Sequence, residues 1–372
     1  MESIQKMLSL TGIWPKQNLT TKDVLITVMN HSMFVCILVI LFVEIINVSH
    51  SITKMNVVLC TMLPFCTAYS KIISATYYRN NFLAIIKDIR LEIFNNYPDS
   101  KNNPLREVLK VTKMMSITFR FMMGGVCLFY VIFPFFDDKD LPIPFSLDLG
   151  KYKIVMHIFQ VVALTIAAWN VSCIDLTFVT IMGICAAQLE ILCIRLQNFA
   201  TKARKISYHR NEFDRNVGIF LKECVIHYDG IISLVAKVNN MFSFITFFQY
   251  FLGMPIVCNI VLQLTLLLDI RSTEFVMTIM LFSTMVTQMT MYSWFGNEVI
   301  VKSDKIIESA YLSEWYLCPT KHKRTLFIIM ERAKKPLAVS AGGFTSVSLT
   351  ALLVIIKWSY SIYALVRTAL KQ

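Results

Sequence analysis

Residues 241–268 read MFSFITFFQYFLGMPIVCNIVLQLTLLL, and after a short charged break residues 275–296 read FVMTIMLFSTMVTQMTMYSWFG. Neither run contains an Asp, Glu, Lys or Arg. A helix needs roughly 20 mainly apolar residues to cross ~30 Å of hydrocarbon, so each run is long enough to span a bilayer. Inside lipid the backbone finds no water, and a helix satisfies its own amides and carbonyls. Two such runs in succession decide the class: an all-α, polytopic membrane protein.

Working outward, five more segments qualify or nearly qualify, at about 24–48, 57–78, 114–136, 154–174 and 344–366. Lys71 and Arg120 interrupt the second and third. The seven spans make residues 1–372 a single membrane domain. Composition agrees, with 56 % hydrophobic and only 16 % charged residues, where a soluble chain carries about 25 % charge. The first 23 residues hold Lys6, Lys16 and Lys22 but no apolar core, so they do not read as a secretory signal. The first apolar segment is therefore itself expected to be a span.

Seven spans put alternate loops on alternate sides. Residues 1–23, 79–113, 190–240 and 297–336 carry 26 Lys and Arg, whereas the loops on the other side carry 7. Basic residues collect in cytoplasmic loops, which predicts a cytoplasmic N-terminus and an extracellular C-terminus. The same asymmetry accounts for the net charge of +12 without a nucleic-acid partner. The basic loops also carry helical patterns. Phe82, Ile85, Ile86, Ile89 and Ile93 share one face of a helix over 79–94. The fourth span continues unbroken to about Gln197, ~65 Å from Ile154 at 1.5 Å per residue, about twice the bilayer. Further helices are predicted over 217–239 and 320–335, the latter stopped by Pro336. Helices 4–7 thus extend into a cytoplasmic layer, with 190–240 and 297–336 as its anchor helices.

The chemistry of enzymes is missing. Ten cysteines are scattered through apolar runs, and no two of the six histidines stand at zinc-ligand spacing. The glycine pairs 124–125 and 342–343 are isolated and form no phosphate loop. No enzymatic activity, metal or cofactor is expected.

From the third basic loop onward the chain resembles an insect odorant receptor. The residues that carry the resemblance run from Ser309-Ala310-Tyr311 and Trp315-Tyr316 through Met330-Glu331-Arg332-Ala333-Lys334-Lys335-Pro336-Leu337. They continue with Ser340-Ala341-Gly342-Gly343-Phe344 and Ser348-Leu349, and end in Ile356-Lys357-Trp358-Ser359-Tyr360-Ser361-Ile362-Tyr363. Ala187–Gln197 and His227–Leu252 are similar to the family's fourth helix end and fifth helix entry. Gly343, Ile362 and Ala364 depart from the family's common residues there.

The resemblance implies a ligand-gated, non-selective cation channel for olfactory transduction. A variable subunit binds small volatile hydrophobic ligands and assembles with a shared co-receptor into a heterotetramer. The expected location is the plasma membrane of a sensory-neuron dendrite. This chain is expected to be the variable subunit, since it lacks the co-receptor's large extra loop. The pocket is expected in the outer halves of spans two to six. Its candidates are Met62, Phe65, Tyr69, Cys127, Tyr130, His157, Val161, Trp169, Tyr250 and Phe251, although for any one of them taken alone ordinary core packing is the better reading. Trp358, Ser361, Leu365 and Thr368 share a face of the last helix and are the pore candidates. The same stripe on any bilayer helix could face lipid, and only the resemblance selects the pore. Gly342 and Gly343 are the candidate hinge.

Three other readings compete. A gustatory-type channel of the same superfamily would end in a Thr-Tyr and Gln-Phe signature that is absent here. A G-protein-coupled receptor would have the opposite orientation, and its Asp-Arg and Asn-Pro-x-x-Tyr motifs are missing from the required places. A transporter would show paired repeats with broken helices, and none is visible.

Overall fold

A computed structural model describes residues 20–95, 103–132, 145, 150–266 and 272–369. The expected N-terminal segment before residue 20, and the end of span three beyond Ile132, lie outside the described residues. The chain runs α1 (Thr21–Asn47), α2 (Ile52–Tyr77), α3 (Arg79–Ile89), α4 (Glu92–Asn95), α5 (Pro104–Ile132), α6 (Lys153–Ile206), α7 (Arg210–Leu266), α8 (Thr273–Tyr311) and α9 (Thr320–Ala333). A two-stranded hairpin, β1 (Ser340–Ala341) and β2 (Thr345–Ser346), precedes the final helix α10 (Leu349–Ala369). Seven of these helices, α1, α2, α5, α6, α7, α8 and α10, are long and apolar enough to cross a membrane.

Local signals explain where the helices start. Thr20 caps α1 with a reciprocal pair, its hydroxyl accepting from the Asp23 amide while the Asp23 carboxylate accepts from the Thr20 amide. Ser272 caps α8 by accepting from the Phe275 amide. Pro64 and Pro255 sit inside α2 and α7 without ending them.

α6 is the central post of the fold. Every residue from Asn170 to Leu189 is buried, including the polar Asn170, Asp175 and Gln188. At 54 and 57 residues, α6 and α7 are ~80 Å long, far more than a bilayer requires. Their surplus halves pack with α3, α4, α9 and the end of α8 into a helical layer beside the spans. Polar contacts tie that layer together. Lys237 pairs with Asp88 at 2.5 Å, Lys302 with Glu190 at 2.9 Å, and His322 with Asp214 at 2.6 Å. His227 contacts Gln188 Oε1 at 3.0 Å, while Gln188 Nε2 donates to the Phe94 carbonyl. Burial, helped by Arg195, pushes His227 down to about 3. The ring is therefore neutral, and its Nε2–H donates to Gln188.

The helix expected over 79–94 is broken at Arg90 into α3 and α4, and the one expected over 320–335 ends at Ala333. Three further boundaries differ from those read in the sequence. The fourth helix continues past Gln197 to Ile206. The helix expected over 217–239 is the first half of α7, continuous with the fifth span. The last helix begins at Leu349, where 344 was expected. The physical reason for the third lies in the hairpin. Ser340 pairs with Ser346 and Ala341 with Thr345, so Thr345 and Ser346 are committed to a strand. Ser348 then opens α10, its hydroxyl accepting from the Ala351 amide.

Candidate functional site

Four spanning helices line an apolar cavity on the side of Asp175 away from the converging ends of α6 and α7. Leu164, Ala167, Ala168 and Val171 line it from α6, and Leu281, Thr284, Met285 and Gln288 from α8. Both sets follow the spacing i, i+3, i+4, i+7, one stripe of a helix. Phe119, Met123, Val126 and Cys127 close it from α5, and Pro64, Phe65, Thr67 and Ala68 from α2. Three alanines across these walls leave room where larger side chains would fill the gap. The wall is hydrocarbon and sulfur apart from Thr67, Thr284 and Gln288.

Gln288 links this cavity to a buried polar cluster. Asp175 is fully buried and Lys71 is 1 % exposed. The Lys71 ammonium donates to Asp175 Oδ1 at 2.7 Å, and the Tyr292 hydroxyl donates to the same oxygen at 2.7 Å. Gln288 Nε2 donates to Asp175 Oδ2. Gln249 Nε2 donates in turn to Gln288 Oε1 at 3.1 Å. The Lys71 ammonium also lies 5.4 Å from the centre of the Tyr292 ring, which stacks on Phe178. An isolated charge would be very costly here, and paired charges survive burial only when their remaining hydrogen-bonding capacity is met. One carboxylate on α6 thereby holds α2 and α8 directly and α7 through Gln288.

The structure brings two of the ten expected pocket residues, Phe65 and Cys127, into this cavity. Met62 packs on the core and Tyr130 is buried, but neither lines it. Tyr69 stacks on Phe34 of α1 with centroids 5.9 Å apart. His157 and Val161 lie half-buried on α6, nearer its start, and Trp169 turns outward at 38 % exposure. Tyr250 and Phe251 border a different space, an open groove between α7, the hairpin and α10.

The remaining lining residues escaped the sequence reading because their signal was thin. Thr, Met, Leu and Ala at helical spacing mark any packed bilayer helix, and only the lone Gln288 hinted at a polar demand. The ion pair was missed outright. In the sequence Lys71 reads only as a charge interrupting the second span, yet both it and Asp175 are interior.

The last helix has two faces. Leu352, Ile355, Ser359 and Tyr363 are buried, with Ser359 Oγ donating to the Met254 carbonyl of α7 at 3.2 Å. The opposite stripe is exposed in the single chain: Val354 at 47 %, Trp358 at 59 % and Leu365 at 71 %, with Ser361 and Thr368 between and beyond them. Lys357 is exposed too. Gly342 and Gly343 form the hairpin turn with φ of +62° and +80°, a backbone region where glycine is favoured. Among the described residues no cluster of His, Cys, Asp and Glu could hold a metal ion.

The family model described as 7tm Odorant receptor matches residues 51–360. Among curated relatives, the chain is 29 % identical over 149 residues to odorant receptor 92a of Drosophila melanogaster, covering 40 % of this chain and 36 % of that one. It is 25 % identical over 198 residues to odorant receptor 67c of the same organism, covering 53 % and 46 %. The chain thus aligns with less than half the length of these two relatives. Among solved structures, that of the insect olfactory receptor OR5 from Machilis hrabei in complex with eugenol superposes with a TM-score of 0.86. That likeness covers 99 % of this chain and 97 % of the other at 14 % identity, and it shows the shared fold.

Proposed function

The chain belongs to the 7tm odorant receptor family of multi-pass membrane proteins, and from that premise we propose that it is the ligand-binding subunit of an odorant-gated cation channel. Its ligand is a small, volatile, mainly apolar molecule held in the cavity between α2, α5, α6 and α8. It works with a shared co-receptor as a heterotetramer in the plasma membrane of a sensory-neuron dendrite, with its N-terminus in the cytoplasm. The outward stripe of α10, with Trp358, Ser361, Leu365 and Thr368, lines the pore, and the Gly342–Gly343 turn sets that helix's angle. The helical layer holds the subunits together.

One observation carries this reading. The cavity is lined by four membrane helices, almost wholly with apolar side chains, and ends on a glutamine joined to a buried ion pair. Small-molecule sites have this character: apolar walls with a few placed polar groups. Because Asp175 binds donors from separate helices, a ligand that moves Gln288 pulls on α6, α7 and α2 together. A shape change in the pocket can thereby reach the helix packed against α7, which is α10.

Coexpression with an odorant co-receptor and whole-cell recording across a panel of volatiles tests the proposal. Fast cation currents without added nucleotide are expected. Ala168→Phe, which fills the cavity, should abolish them while leaving the amount of receptor at the cell surface intact. A variant with an unchanged dose–response curve would remove the cavity from the mechanism.

A further inference from the structure

The class of ligand follows from where the hydrogens in the cavity wall are already spent. Thr67, Thr284 and Gln288 are all at least nine-tenths buried. Thr67 Oγ1 donates to the Pro64 carbonyl at 2.7 Å. Thr284 Oγ1 has the Met280 and Leu281 carbonyls within reach, at 3.0 and 2.8 Å. A hydroxyl has one hydrogen and two lone pairs, so both threonines can offer a ligand only acceptor capacity. Gln288 Nε2 is committed to the Asp175 carboxylate, an acceptor-only partner that fixes which end of the amide is nitrogen. Its Oε1 accepts from Gln249 and keeps a second lone pair, leaving a single N–H as the amide's spare donor. The Cys127 thiol is at most a weak donor. The polar part of the wall is therefore dominated by acceptors.

We infer that the cavity selects neutral alcohols and phenols over ketones, esters and ethers of the same skeleton, with Thr67 and Thr284 as the specificity-determining acceptors. This rests on the cavity being the odorant site. A hydroxyl donates to Thr67, Thr284 or Gln288 Oε1 while its carbon skeleton fills the Phe119, Met123 and Leu164 region. A carbonyl or ether brings a second acceptor and has only one N–H to compete for. A carboxylate finds no cation among the side chains of the wall, and an unpaired charge is costly in such a place. A site built to bind a hydroxyl discriminates against analogues lacking it, since its own polar atoms are then left unpaired.

The experiment records from the coexpressed channel with matched sets: linear C5–C8, cyclohexyl and benzyl alcohols, each with its aldehyde or ketone, methyl ether and parent hydrocarbon. On the most active skeleton, the alcohol should reach half-maximal current at about one-tenth the concentration of its methyl ether, the effect of one net hydrogen bond. Thr284→Val and Thr67→Val keep the side-chain volume, and one or both should collapse that ratio by weakening the response to the alcohol more than the responses to its ether and hydrocarbon. Carbonyls or ethers that match or surpass the alcohols overturn the inference. So does a ratio that survives both substitutions, and so does a loss shared equally by every class. Silence across all sets, or responses indifferent to Ala168→Phe, instead defeats the reading of the cavity as the odorant site. Should a valine variant fail to reach the surface, the wild-type ranking of alcohol against ether decides alone.

Discussion

Lys71 and Asp175 stand 104 residues apart and meet at 2.7 Å, each almost wholly removed from solvent. Removing one partner of such a pair leaves an unmatched charge and costs about 3–5 kcal/mol, whereas removing both charges can be nearly neutral. Lys71→Met should therefore lower the melting temperature of the detergent-solubilised protein and its level at the cell surface. Lys71→Met combined with Asp175→Asn should recover most of both, because asparagine keeps an acceptor for Tyr292. A single variant as stable as the wild type would show the pair to be dispensable, and a double variant worse than the single one would show that charge balance is not its basis. Nothing local announces this pair. An ionisable residue inside a span signals importance, but its partner is found only when α2 and α6 are side by side.

At the scale of elements, the turn between β1 and β2 brings three glycines into one piece of architecture. A Cβ at Gly343 would meet nothing within 4 Å, so its only demand is the positive φ. A Cβ at Gly342 would also come within 2.8 Å of the Phe247 ring. At Gly296 of α8 it would stand 2.2 Å from the Val347 carbonyl oxygen, which belongs to the backbone and cannot rotate away. Thermal unfolding of the three alanine variants should rank them accordingly. Gly343→Ala should cost about 1 kcal/mol, the penalty of the left-handed region. Gly342→Ala should cost more, and Gly296→Ala the most. Equal effects at all three would contradict the role of close approach. The two adjacent glycines were legible as a break between segments. Their hairpin, and the later start of α10 that it forces, were not, because β1 is placed by contacts with α7: Asn239 accepts from the Ser340 amide, and the Gly342 amide donates to the Ser243 carbonyl.

At the scale of the whole molecule, a single chain leaves the stripe of Val354, Trp358 and Leu365 without cover. In the tetramer proposed above, that stripe would face the central axis. A hydrophobic ring there closes a pore by excluding water. Leu365→Ser should then raise the current in the absence of ligand, measured as basal conductance in coexpressing cells. Basal conductance identical to that of the wild type, at equal surface level, would move the gate elsewhere.

Run length and composition alone determined that this is a seven-span helical membrane protein, and a terminal signature pointed to its family. Both are properties of contiguous sequence: the hydrophobic cost of a segment is a sum over its own residues, whichever neighbours it later acquires. The cavity, the ion pair and the hairpin belong to the tertiary structure. Phe65 and Cys127 were legible as apolar residues of spans, but that Ala168, Thr284 and Gln288 share a cavity with them depends on how α6 and α8 rotate about their axes. That rotation is decided where Asp175 collects donors from across the bundle, a choice no single stretch of sequence contains.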